Sequence, residues 1–122
     1  MPRTFELKET HLLIQFSGLT RFMSFKNELS IPYRIIRQIG AGEKIPFAWK
    51  IAGVAVGDVM EGHFRRNGEW HFYSFERIEH TLHLELEGGD GKDEPAYKRI
   101  VIGVDDPDAL AEALRERCPN LA

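Results

Sequence analysis

The stretch HTLHLELE, residues 80–87, allows one conformation. Leu82, Leu84 and Leu86 recur at every second position, with Thr81, His83 and Glu85 between them. Only an extended strand sends alternate side chains to opposite faces, so this segment predicts a strand with one apolar face. The same period recurs elsewhere. Leu12, Ile14 and Phe16 alternate over residues 11–17, with a partner strand over 4–8. Ile100, Ile102 and Val104 alternate over 97–104. Residues 28–31 and 35–39 read as extended on either side of Pro32, which cannot donate to a ladder and so marks an edge or a bend. Residues 47–51 suggest a short strand, Gly53 and Gly57 bracket a turn region, and 58–65 resume extended structure.

Two segments change the period. In LTRFMSF, residues 19–25, Leu19, Phe22 and Met23 stand at helical spacing and predict a short helix after Gly18. Near the C-terminus Asp106 is a strong N-cap, Pro107 suits the first helical position, and Asp108 sits at the positive end of the dipole. Leu110, Ala113, Leu114 and Cys118 then form one stripe before Pro119 stops the helix. That stripe must be buried, most simply against an opening of the sheet structure. Residues 87–95, EGGDGKDEP, read as a loop. The expectation is a mainly β fold of about seven strands, barrel or sandwich, capped by a C-terminal helix, with a short helix near 19–25. Residues 1–122 form a single domain, long enough for one core.

FRRNGEWHFY, residues 64–73, must reverse at Asn67-Gly68, and two turns compete. A two-residue loop pairs Arg66 with Glu69 and puts Phe64 on one face with His71 and Tyr73. A three-residue loop with a bulge at Gly68 pairs Arg65 with Glu69 and Phe64 with Trp70. The second separates polar from apolar side chains better, and register slips swap every side chain between faces, so it is the expectation. Phe64, Trp70 and Phe72 then face inward. If Phe72 lies beside Leu82, then His63, His71 and His83 line up on the outer face of three neighbouring strands. With Glu61 nearby, this row is a candidate site for Zn²⁺ or a similar ion. The competing reading is three solvated histidines, since no HExxH-type motif is present.

The chain carries a net charge of −3 with the signs interspersed, which disfavours nucleic acid and gives no support for contact with an anionic phospholipid membrane. A local basic set, Arg34, Arg37, Lys44 and Lys50, is the candidate for an anion or phosphate head group. No apolar run of signal-peptide type or of membrane-spanning length occurs, and the single cysteine, Cys118, cannot form an internal disulfide. These features fit a cytoplasmic protein. No GxSxG elbow or Cys–His spacing is present, and Gly53, Gly57 and Gly62 lack the GK[ST] ending of a phosphate loop. Helix capping accounts for Asp105, Asp106 and Asp108. No enzymatic activity and no cofactor are expected.

Longer phrases carry a resemblance. GLTRFMSFKNELSIPYRIIRQI, AWKIAG with GDVMEGHFRRNGEWHFYSF, LHLELEG, and YKRIVIGVDDPDALAEAL appear in that order over about residues 10–115. Together they resemble small bacterial pleckstrin-homology-like proteins, in which a glycine opens a short helix, a Trp-containing strand precedes a Gly-x-Phe hairpin, and two strands lead to a closing helix. Where that pattern places Pro before the two glycines after the Trp, this chain has Ala52 and Val56. The resemblance implies a pleckstrin-homology-like fold. The expected role is a non-catalytic module for a protein partner or for self-association, with a small-molecule or anion-binding protein as one alternative and a metal-binding protein or enzyme using the histidine row as another. The resemblance transfers no binding residue.

Overall fold

The computed structural model describes residues 3–18, 27–43, 48–92 and 94–122. Nine strands occur among them: β1 (Arg3–Leu7), β2 (His11–Phe16), β3 (Glu28–Pro32), β4 (Ile36–Ala41), β5 (Trp49–Val56), β6 (Val59–Arg66), β7 (Glu69–Phe75), β8 (Thr81–Leu86) and β9 (Arg99–Gly103). One α-helix, α1 (Pro107–Arg115), follows. The short helix expected near 19–25 lies outside the described residues.

β1, β2 and β3 make a three-stranded antiparallel sheet. The other six strands are ordered β4-β8-β9-β7-β6-β5. The sheets form a sandwich and do not close into a barrel. Strand β9 inserts between β7 and β8, running parallel to β7 and antiparallel to β8.

The alternating residues do what their period predicts. Leu12, Ile14, Phe16, Leu29 and Ile31 of the small sheet are buried in one cluster with Phe72, Leu82, Leu84, Leu86, Ile100 and Ile102 of the large sheet. Each such burial stabilises the fold by about 1.5–3 kcal/mol before chain entropy is counted. Helix α1 packs on β4 and β8 and adds Ala111 and Leu114 to this core, with Cys118 joining just beyond its end. Its cap is the expected one, with the Ala109 N–H donating to Asp106 Oδ1 at 3.1 Å.

The 64–73 hairpin overturns the expected register. Asn67 and Gly68 both have positive φ, 51° and 78°, as a two-residue type I′ turn requires. The pairs are Arg66 with Glu69, Arg65 with Trp70, Phe64 with His71, and His63 with Phe72. Trp70 is 37% exposed while His71 is only 4% exposed, the reverse of the expectation. Clean segregation is a guide only where one face of a sheet is wet. Here both faces are buried over much of the sheet. Phe64, Tyr73, Phe75 and Val101 form a second cluster behind the main core, with Ala48, Met60 and Ile78 packed against it. His71 is accommodated there by a 2.8 Å hydrogen bond between its Nδ1 and Tyr73 Oη.

The expected strand at 47–51 also runs differently. β5 continues to Val56, and Gly53 lies inside it, opposite Gly62. These glycines have φ of 140° and 120°, and a Cβ on Gly62 would lie 2.1 Å from the Ala52 carbonyl oxygen. The pair permits a backbone approach that no other residue type would allow.

Candidate functional site

A strand at the end of a sheet offers unpaired N–H and C=O groups, and stable proteins cover, charge or interrupt such edges. Three of the four edges here are managed. The rim strand β4 is roofed by the C-terminal segment. The Arg115 guanidinium donates to the Ile39 carbonyl at 3.3 Å, and the Ala122 N–H donates to the Arg37 carbonyl at 2.8 Å. β3 starts with Glu28 and ends with Pro32. β1 carries exposed Glu6, paired with Lys8 at 3.0 Å.

β5 is different. It has eight residues, no proline and one charge, Lys50. No strand pairs with its outer side among the described residues. It also carries three of the four exposed large hydrophobics among the described residues: Trp49 at 70%, Ile51 at 54% and Val56 at 70%. The fourth, Trp70, lies two strands inward on β7.

A cleft of about 540 Å³ opens between β5 and the edge strand β3, lined in part by Leu29, Ile51, Ala52, His63, Trp70 and Tyr97. The local register explains its lining. Pairing Arg65 with Trp70 and His63 with Phe72 turns His63 and Trp70 toward the cleft side of the sheet. There the His63 ring lies 5.7 Å from the Tyr97 ring, and Tyr97 Oη is 3.1 Å from His63 Nδ1. Burial pushes the Tyr97 phenol up to about 12, so it stays protonated at neutral pH. The Arg65 guanidinium lies 4.8 Å from the Trp70 ring centroid, a cation–π contact, and donates to the Gly68 carbonyl at 3.0 Å.

The predicted metal row does not form. His63 faces the cleft with Phe72, whereas His71 and His83 occupy the opposite face of the sheet, and β9 separates their strands. Burial lowers the pKa of both, with Arg99 adding to the effect. His83 Nε2 meets Thr81 Oγ1 at 2.9 Å. Glu61 shares the His63 face but is held by Ser74 and Arg3. No three His, Cys, Asp or Glu side chains are arranged to hold a metal ion among the described residues.

The basic set does not assemble either. Arg34 is ion-paired with Glu94, and Arg37 sits 3.9 Å from Glu87, beside or on β4. Lys50 is on β5, at the opposite edge of the sheet with four strands between. Lys44 lies outside the described residues.

One polar cluster had no sequence signal. Arg3, only 5% exposed, donates from Nε to Ser74 Oγ at 2.9 Å and from Nη2 to Glu61 Oε1 at 3.0 Å, and is ion-paired with Glu76. Ser74 Oγ in turn donates to Glu61 Oε2 at 2.6 Å. Burial pushes the Glu61 carboxyl up to about 7, against the pull of Ser74 and Arg3. Partial burial opposes ionisation of Glu76 too, but the hydrogen bond and charge of Arg3 hold it below the usual range. The cluster ties β1 to β6 and β7. With Glu61 wholly buried, the cluster holds the sheets together and does not offer that carboxylate to a ligand.

No family model matches the chain, and no curated protein or solved structure matches it. No helix among the described residues is long and apolar enough to cross a membrane.

Proposed function

We propose that this protein is a non-catalytic interaction module that takes an extended segment of a protein partner along β5. The observation that carries the reading is the state of that edge: eight residues, joined on the outer side by no other strand among the described residues, and rich in exposed apolar side chains. Strand addition draws affinity from main-chain hydrogen bonds and specificity from pockets for alternate side chains. The cleft beside β5 supplies such a pocket, with Trp70 and Tyr97 suited to an apolar or aromatic side chain. Two sheets with a closing C-terminal helix support the pleckstrin-homology-like reading of the fold, while the parallel β7–β9 pair departs from a simple antiparallel meander.

The test is selection of extended peptides from a random library against the folded protein. Selected peptides are expected to shift the amide resonances of β5 and the Trp70 indole, and to lose binding to Ile51→Lys. Peptides that shift only other surfaces, or bind Ile51→Lys equally well, would overturn the reading. The cleft volume also falls in the range of small-molecule pockets, which favours a flat apolar ligand as the second reading. Such a ligand would shift Trp70 and Tyr97 and leave the outer amides of β5 unmoved.

A further inference from the structure

The proposal rests on β5 as the interaction edge and names its occupant. We infer that β5 pairs antiparallel with β5 of a second copy of this chain, with Val54 on the twofold axis.

The backbone restricts how this edge can be used. Gly57 and Asp58 form a two-residue turn flanked by the pair Val56 and Val59. In such a hairpin the flanking residues exchange both ladder hydrogen bonds, and every second pair beyond them does the same. Val56, Val54 and Ala52 therefore direct their N–H and C=O groups to β6. Gly53 and Ala55 direct theirs outward, and only these can bond an added strand along the regular part of the edge.

A twofold antiparallel pair can use them in two registers. One sets Gly53 opposite Ala55 of the second copy, with Val54 on the axis. The other sets Gly53 opposite itself. A bulge between Lys50 and Ala52 sets Lys50 one ladder position beyond Ala52, so in the first register Lys50 lies beside the Gly57–Asp58 turn of the second copy, and symmetry makes this contact twice. In the second, Lys50 lies beside Ala55 of the second copy and gains no opposite charge. Lys50 and Asp58 are both exposed and in no ion pair among the described residues. Charge complementarity selects the first register. That register also brings Val56 of the second copy against Ala52 at the mouth of the cleft, covering a side chain that is 70% exposed in the single chain. The two large sheets become continuous, and each open edge closes the other.

The experiment uses the full chain in sedimentation velocity over a wide concentration range. A monomer–dimer equilibrium is expected. Lys50→Glu or Asp58→Lys alone weakens it about tenfold, because like charges then face each other twice. The double variant Lys50→Glu with Asp58→Lys restores it. Val54→Cys cross-links the dimer on oxidation, since facing Cα atoms in a non-hydrogen-bonded pair lie about 4.5 Å apart, within disulfide reach. Ala55→Pro removes an outward donor and leaves a folded monomer by circular dichroism. A dimer indifferent to the charge swap, or a monomer at every concentration, overturns the inference. In the monomer case, peptides that still bind at β5 leave the interaction-module reading standing, and failure of both overturns both.

Discussion

Strands β4 and β5 end the same sheet and meet water on opposite terms. β4 is short, carries Arg37 and Gln38, and lies under α1 and the terminal residues, which hydrogen-bond its carbonyls. β5 is longer, nearly uncharged and covered by no other strand among the described residues. The same chain has the means to protect an edge and uses them on one side only. The closed edge serves stability, and the open edge is the surface we propose for a partner.

The sharpest way to break this contrast is to damage each side and compare the costs. Leu114 is fully buried where α1 meets the sheet. Leu114→Ala is expected to lose about 3 kcal/mol of stability in urea denaturation. Trp49→Ala on β5 is expected to change the stability of the dilute protein by less than about 0.5 kcal/mol. Equal losses would mean that β5 is also part of the core.

Next in size is Gly62→Ala. Its Cβ would fall 2.1 Å from the Ala52 carbonyl at a φ of 120°, so β5 must move away from β6. The loss should be on the order of 2–3 kcal/mol, with any β5-dependent association lost as well. Gly57→Ala meets nothing within 4 Å and carries only the strain of a φ of 59°, about 1 kcal/mol. Denaturation of the two variants side by side separates packing from strain.

A smaller effect comes from pH. His71 and His83 titrate below their ordinary value of 6.5 when folded, so the unfolded chain binds protons first. Their contribution is present above about pH 6.5 and is lost as pH falls through the folded values. Glu61, pushed up to about 7 from 4.5, acts in the opposite sense. Its contribution is full below its unfolded value and lost as pH rises through the folded one. Glu61→Gln should therefore gain in melting temperature relative to the parent as pH rises from about 5 to about 8. A constant difference would show that Glu61 does not titrate in this range. The smallest change is Arg65→Ala, which removes the cation–π contact with Trp70 and should cost about 0.5–1 kcal/mol in denaturation.

The strands of the core were legible because Leu82, Leu84 and Leu86, or Leu12, Ile14 and Phe16, write their period into consecutive residues. The helix was legible because Asp106, Pro107 and the Leu114 stripe are local signals too. The 64–73 register was not legible, because segregation of polar from apolar side chains fixes a register only where one face is wet. The second cluster around Tyr73 and Val101 buries that face with residues distant in sequence. The insertion of β9 between β7 and β8 has no local signal, and it alone separates His71 from His83. The open edge was only half visible. Pro32 marks an edge in the sequence, but β5 became one through strand order, which no single segment records.

Amide hydrogen exchange along both rims, read by NMR at increasing protein concentration, distinguishes an open β5 edge from a closed β4 edge. The outward amides of Gly53 and Ala55 are expected to exchange fast in dilute protein and become protected as concentration rises, while the β4 amides hold constant protection. Outward β5 amides already protected in the dilute monomer, or still unprotected while the protein associates, would contradict this expectation.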